Sequence, residues 1–380
     1  MTENINPQKQ KLIFIVMCLV SAAGSFYYCV RVGHAFRALT GHNPTWPLFF
    51  VVLFFLLVQL YSNKTKRIHI SQLYRILVLL SGVCIAFLVF GGTWMVLFDV
   101  IFFVLRIIGV KRLRYEMAAG ISALLSVVTV IYGVIHAKKI RTVSYSVSTD
   151  KVREGYRIVQ LSDLHLGSVV GAGQMRRAVE AVNALKPDLV VITGDIINHG
   201  QMNEVRRPLD IEDILKQIRS KDGVYAVTGN HDPAADDPVF RLFLKNADVR
   251  LLDNESVSLP QVTLYGRNGN SLRNRRPIRY KFPAEKYTVI LDHYPDGAEA
   301  AAGCGADLLL AGHTHSGQYF PCTWFIRANY HKNSRHGQFR VGKTDCIVSA
   351  GTGYFQIPVR FGSDSEVVCV DVKPIKNKEK

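Results

Sequence analysis

From Leu12 to Val30 the chain reads "LIFIVMCLVSAAGSFYYCV", nineteen positions without a charged side chain. A bilayer core takes roughly 20 helical residues to cross. In hydrocarbon every backbone amide must find its partner inside its own segment, so such a run folds as helix or not at all. Trp46 to Tyr61, "WPLFFVVLFFLLVQLY", is a second run, with aromatic ends that suit the membrane interface. Ile76 to Ile108 is too long for one crossing and is interrupted by "GGTW" at 91–94, which reads as a tight turn between two helices. Met117 to His136 is a fifth. Residues 1–145 therefore read as a multi-pass α-helical membrane bundle of about five helices. Buried helices of a soluble protein are seldom charge-free for so long, and the first run exceeds the apolar core of a cleaved signal peptide and is followed by further spans, so it is read as retained.

The net charge of +16 and the 48% hydrophobic content belong together. A basic excess suits nucleic acid or an anionic membrane surface, and the apolar runs select the membrane. The chain has no aromatic-rich nucleic-acid module, so no specific nucleic-acid partner is expected. With a cytoplasmic N-terminus, Lys9, Lys11, Lys64, Lys66, Arg67, Arg75, Lys111, Arg112 and Arg114 fall inside, against Arg31 and Arg37 outside. Five crossings then place the rest of the chain outside the cytoplasm, although "KKIR" at 138–141 argues the other way. The seven cysteines, at 18, 29, 84, 304, 322, 346 and 369, show no metal-binding spacing; the last four could pair in an oxidising space. The sequence leaves the oligomeric state open.

After Asp150 the pattern changes. Short apolar runs, "RIVQLSD", "DLVVITGD", "GVYAVTGN", "YTVILDH" and "ADLLLAGH", alternate at first with the helix-like "AGQMRRAVEAVNAL" and "DIEDILKQIRS". Strand, helix, strand at this spacing predicts an α/β domain with a substantially buried sheet over 150–373, followed by a charged tail at 374–380. "CIVSAGTG" and "EVVCVDV" add two late strands that suit a second sheet packed on the first.

Those five runs end on polar residues of one chemical kind: Asp163 and His165, then Asp195, then Asn230 and His231, then His293, then His313 and His315. Functional groups of open α/β sheets gather beyond the carboxyl ends of the strands, so the five loops can meet in one cleft. Each motif alone has an ordinary explanation, a turn for "GD" or a helix start for "GNHD". Together, carboxylate, imidazole and amide oxygen without thiolate suit Mn, Fe or Zn. Seven such ligands are too many for one tetrahedral ion and suit two that share a carboxylate. Asp195 is the natural bridge, and His231 can hydrogen-bond a phosphoryl oxygen or protonate a leaving alkoxide.

The ordered set D-x-H, GD, GNHD, an isolated His and GHTH resembles the calcineurin-like metallophosphoesterase family over about residues 155–372, with "QLSDLHLG", "LDHYPD" and "GHTHSGQ" most similar to its bacterial membrane-associated branch. The resemblance implies two packed β-sheets flanked by helices, and two divalent ions. One ion would be held by Asp163, His165, Asp195 and His315, the other by Asp195, Asn230, His293 and His313, with His231 as the catalytic histidine. This chain departs from its relatives at Asn198, where many have a second Asp, and at Arg267 and Asn268, where an acidic pair is common.

Arg267, Arg273, Arg275, Arg276, Arg279 and Lys281 crowd the same segment and could grip a second phosphate or simply face anionic lipid. The reading is a membrane-anchored phosphoesterase acting on a phosphodiester, a lipid-linked one among the candidates, with membrane lipid as a partner. A nuclease or cyclic-nucleotide phosphodiesterase would use the same metals. A transporter or sensor with a regulatory domain would instead depend on the spans, where Asp99 and Arg106 are the main ionisable residues.

Overall fold

The computed structural model describes residues 7–64, 72–110, 114–198, 200–202, 205, 210–270, 277–278, 282–329 and 336–375. Arg273, Arg275, Arg276, Arg279, Lys281, His199 and His331 lie outside them. The chain divides into two compact units, the first ending at Val134 and the second running from Ile135 to the C-terminal end.

The first unit holds α1 (Pro7–Thr40), α2 (Thr45–Lys64), α3 (Gln72–Ile107) and most of α4 (Tyr115–Ala137). Within the described residues, three stretches are long and apolar enough to cross a membrane, Thr45–Ser62, Gln72–Ile107 and Glu116–Ala137. The expected turn at 91–94 is absent, because α3 runs unbroken through it for 36 residues. Gly91 serves packing instead of turning: a Cβ there would lie 2.5 Å from the ring of Tyr28, so only glycine lets α1 seat that ring against α3. The two helices are also pinned by Arg31 and Asp99 at 2.9 Å, with Tyr27 donating to the same carboxylate.

The second unit begins with β1 (Ile140–Thr149), which spans the expected boundary at 145–150. Its alternation is legible: Val143, Tyr145 and Val147 turn inward and the serines between them turn out. There follow β2 (Tyr156–Leu161), α5 (Ala172–Ala184), β3 (Leu189–Thr193), α6 (Ile211–Leu215), β4 (Val224–Val227), α7 (Pro238–Asn246), β5 (Val249–Leu251), β6 (Glu255–Ser258), β7 (Val262–Gly266), β8 (Tyr287–Leu291), α8 (Ala298–Gly303), β9 (Leu308–Ala311), α9 (Cys322–Asn329), β10 (Gly337–Val341), β11 (Thr344–Val348) and β12 (Ser365–Pro374). The helix expected over "DIEDILKQIRS" stops after five residues. Asn183 accepts from the Arg219 amide at 2.7 Å and donates to the Gln217 carbonyl at 2.8 Å, which diverts the backbone groups that would continue it.

Two six-stranded sheets result, in the orders β1-β12-β2-β3-β4-β5 and β10-β11-β9-β8-β7-β6. The two late strands part company. β11 joins the second sheet beside β9, whereas β12 enters the first between β1 and β2, parallel to one and antiparallel to the other. Strand residues alternate between layers. Ile158, Val191, Val289 and Leu310 fill the core between the sheets, while Val159, Val190 and Ile192 pack under α5, α6 and α7, and Ile290 and Leu309 under α8. Burial on both faces explains why these strands read as continuous apolar runs.

β2, β3 and β4 are parallel, as are β8 and β9, so the carboxyl ends within each set point one way. Gln160 ties the two sheets, donating to the Ala311 carbonyl at 2.8 Å. The described cysteines Cys29, Cys84, Cys304, Cys322, Cys346 and Cys369 are free thiols, and the pairing open to the last four does not form.

Candidate metal centre

Asp163 and Asp195 each follow the last residue of their strand by two positions, as do His293 and His313, and Asn230 follows by three. At those ends the backbone leaves the extended conformation sharply. Asp163, His165, Asp195, His313 and His315 all adopt positive φ, between 46° and 72°. Such conformations cost about 1–3 kcal/mol each for a residue with a side chain, so their concentration here marks a site that the fold enforces. Gly194 makes the convergence feasible: its φ is +85°, and a Cβ there would lie 2.7 Å from Nδ1 of His293 and 2.8 Å from the Gly229 amide.

Two groups of three donors form, Asp163 with His165 and His315, and Asp195 with His293 and His313, each with its ligand atoms within 4.8 Å of one another. Between them lies Oδ2 of Asp195, 3.5 Å from Nε2 of His165 and 3.3 Å from Nε2 of His293. In the first group Nε2 of His315 is 3.0 Å from Nε2 of His165 and 3.5 Å from Oδ1 of Asp163. In the second, Nε2 of His293 is 3.2 Å from Nδ1 of His313 and 3.1 Å from Oδ1 of Asn230. Ligands about 2.1 Å from a common cation sit about 3.0–3.4 Å apart in octahedral or tetrahedral arrangement, so these donor spacings fit a cation in each group.

Three of the imidazoles are held in the neutral form a cation needs. Burial pushes the imidazoles of His165 and His313 down to about 3 and that of His315 well below its usual range, which leaves neutral rings with free lone pairs. Burial opposes charge on Asp195, yet the rings of His293, His165 and His231 hold its carboxyl well below the ordinary value. Burial likewise disfavours the charged form of His293, but the Asp195 carboxylate outweighs it and lifts that ring to about 10. Burial raises Asp163 to about 6.

His231 is half-buried. Its backbone N–H donates to Oδ1 of Asp195 at 2.8 Å, and its ring lies 4.7 Å from that of Phe355 and 5.2 Å from that of His165. Arg267 corrects an expectation. Its side chain is 9% exposed, with a nitrogen 3.3 Å from Oδ2 of Asp292, an internal ion pair rather than an open fork.

Four further residues shape the centre. Asp232 accepts from the amides of Ile197 and Gly229 at 2.7 and 2.8 Å and so ties the loop after β3 to the loop after β4. Asn270 spans the same β4 loop, bonding the carbonyl of Pro233 at 2.9 Å and the amide of Ala235 at 3.2 Å. Arg360 is fully buried and gathers the carbonyls of Ala350, Gly351 and Gly353 at 2.6–3.1 Å, with a nitrogen 3.4 Å from Nδ1 of His315. Phe355 faces both His165 and His231. Of these only Asp232 stood inside a recognisable motif, and there a helix-cap reading competed with it.

Residues 156–317 match the family model described as calcineurin-like phosphoesterase. A Danio rerio protein described as a transmembrane protein with metallophosphoesterase domain is 32% identical over 277 residues, 67% of this chain and 62% of that protein. An uncharacterised metallophosphoesterase of Helicobacter pylori is 30% identical over 234 residues, 59% of this chain and 62% of its own. The chain thus spans less than two thirds of either relative. The solved structure of an archaeal phosphodiesterase aligns with a TM-score of 0.31 at 16% identity, covering 52% of this chain and 83% of that one.

Proposed function

This chain belongs, through its C-terminal domain, to the calcineurin-like phosphoesterase family, and from that premise we propose that it is a membrane-anchored, dinuclear-metal phosphoesterase that hydrolyses a phosphodiester by metal-activated water. The observation that carries the reading is the position of the Asp195 carboxylate between two groups of donors whose spacings each fit a cation. Asp163, His165, Asp195 and His315 would hold one divalent ion, and Asp195, Asn230, His293 and His313 the other, as Mn, Fe or Zn. Two bound ions would supply a hydroxide near neutral pH and neutralise charge on the attacking and leaving oxygens.

The chain's own groups do the rest. Nδ1–H of His293 donates to the Thr193 carbonyl at 2.9 Å, which fixes the ring and turns Nε2 toward the ligand space. The amide of His313 donates to both oxygens of Asp163, at 3.0 and 3.1 Å, and orients that carboxylate. His231, steered by its own backbone bond to Asp195 and by Phe355, holds the proton for the leaving oxygen.

The test is hydrolysis of a chromogenic phosphodiester, with the monoester in parallel, by the full chain in detergent after metal removal and return of Mn, Zn or Mg. Restored turnover that is faster on the diester and vanishes in Asp195→Ala is expected. Turnover in the metal-free chain would refute the reading.

For the side of the membrane we propose the cytoplasm, taking α1 as a crossing beside the three apolar spans. With α3 as one crossing, four helices return the chain to the side of its N-terminus, and Lys138, Lys139 and Arg141 then join Lys9 and Lys11 in the cytoplasm. Lys111, Arg112 and Arg114 fall outside on this count, yet the inside total is still the larger. Five crossings would place the domain on the opposite side. A C-terminal reporter that matures only in the cytoplasm should be active; a silent one, with an extracytoplasmic reporter active in its place, would restore the odd number of crossings.

A further inference from the structure

The short helix α9 turns its apolar side outward. Thr323 is buried beneath it, whereas Trp324 is 71% exposed, Phe325 65% and Phe320, just ahead of the helix, 41%. A surface helix ordinarily places its apolar stripe on the core and its polar residues in water, so the order here is inverted. Among the described residues after Ala137, the other exposed large apolar side chains are Val239, Leu242 and Ile375. The three at α9 are the aromatic ones, and clustered exposure of this kind marks an interaction surface.

What supports α9 says what covers it. The Phe320 amide donates to the Phe361 carbonyl at 3.0 Å, Thr323 lies against Gly362, and Oγ of Ser363 donates to the Gln318 carbonyl at 2.7 Å. The next residue, Asp364, takes Nε2 of His136 at 2.8 Å and a guanidinium nitrogen of Arg141 at 2.7 Å. His136 belongs to the last turn of α4, and only Lys138 and Lys139 separate that helix from β1. The segment 361–364 therefore carries α9 on one side and the end of the last apolar helix on the other. The last turn of α4, which belongs to the second unit, is thus bonded to the segment that carries α9.

We propose that Phe320, Trp324 and Phe325 dock into the headgroup boundary of the bilayer that the apolar helices cross. Aromatic rings favour that depth, and exposed Arg327, Lys138 and Lys139 around the same support suit anionic headgroups. The inference rests on the reading of this chain as a membrane-anchored phosphoesterase and deepens it. Thr323 of α9 packs against Gly317 in the turn His315–Gly317, so docking holds that side of the metal centre at the lipid surface, where a phosphoester with its apolar part in the bilayer would be presented.

The full chain in nanodiscs of phosphatidylcholine and phosphatidylglycerol in equal parts tests this without requiring turnover. The fluorescence of Trp324 is obtained as the difference between the wild-type chain and Trp324→Phe, a change at an exposed position. With lipids brominated high on the acyl chain that difference signal should lose about half or more of its intensity, while aqueous iodide leaves it unchanged, as expected of a ring seated at the headgroup–acyl boundary. Quenching by iodide with no effect of bromolipid would overturn the proposal, because the ring would then be in water. Protection from both quenchers would overturn it as well, because protein would then cover the helix. Should Trp324→Phe alter the fold, the chain carrying Trp46→Phe and Trp94→Phe leaves Trp324 as the sole tryptophan and reads the same two quenchers directly.

Discussion

The two donor groups are built from the same side chains but are not supported alike. In the group of Asp195, His293 and His313, the far nitrogen of His293 is anchored on the Thr193 carbonyl and the amide oxygen of Asn230 adds a further donor. In the group of Asp163, His165 and His315, Nδ1 of His165 is buried with no hydrogen-bond partner among the described residues, and Nδ1 of His315 faces a guanidinium nitrogen of Arg360, itself a donor. Histidines that hold metals well usually donate their second ring nitrogen to an acceptor, and losing such a partner typically costs 10–100-fold in affinity. A cation placed near Arg360 also meets a fixed positive charge. On the proposed two-cation reading, the difference predicts that one site fills first and the other exchanges more readily, although the chain contributes two imidazoles and a carboxylate to each.

The sharpest way to break this comparison is to remove what the two groups share. Asp195→Ala should lower turnover on the order of 10³-fold or more and reduce the bound metal at both sites, read by hydrolysis and by elemental analysis together. If only one ion is lost, Asp195 does not bridge. Next in size, single replacements should separate the groups. His315→Ala is expected to leave one tightly held ion, whereas His293→Ala should weaken the tighter ion by about 100-fold and leave only exchangeable metal. Equal behaviour of the two variants in a metal titration would erase the asymmetry.

Acidity gives a smaller and graded effect. In the metal-free chain the His293 pKa is raised from its ordinary 6.5 to about 10, so below that value a proton occupies the ring that a metal must take. The apparent affinity of the Asp195 group should therefore rise with pH, by up to about tenfold per unit, with proton uptake by the buffer detectable calorimetrically. The same shift makes His293 stabilise the metal-free fold fully below pH 6.5, a contribution lost as pH rises toward about 10. Affinity that is flat from pH 6 to 9 would contradict the His293–Asp195 ion pair. Smallest of all, Asn270→Ala removes the brace of the β4 loop without touching a donor atom; a loss of stability of about 1–2 kcal/mol, read by thermal melting, should accompany a modest fall in turnover. Unchanged melting would mean that the loop holds Asn230 without that brace.

The strand-end donor residues were legible because each follows an apolar run that is buried on both faces, and a both-faces-buried strand has a plain signature. Parallel pairing within each sheet then does what the sequence order implies, carrying Asp163, Asp195 and Asn230 to one edge and His293 and His313 to another. The division of strands between sheets was less legible: β12 is as apolar as β11, and only its pairing with β1 and β2 assigns it to the first sheet. "GGTW" misled because a small-residue packing face and a turn use the same glycines, and the choice rests on Tyr28 some sixty residues earlier. Arg267 misled for a similar reason, since the basic cluster is visible locally but its partner Asp292 is not. Arg360 had no signal at all. A lone arginine beyond the last motif gains its place only when the carbonyls of 350–353 fold over it.

The most direct test of the account is a manganese titration of the metal-stripped full chain, with binding and phosphodiester hydrolysis followed in the same samples. Two ions per chain that bind in separable steps, with turnover appearing only as the second step fills, are the predicted result. Full turnover at one ion per chain would contradict the claim that Asp195 joins two cations in a single centre.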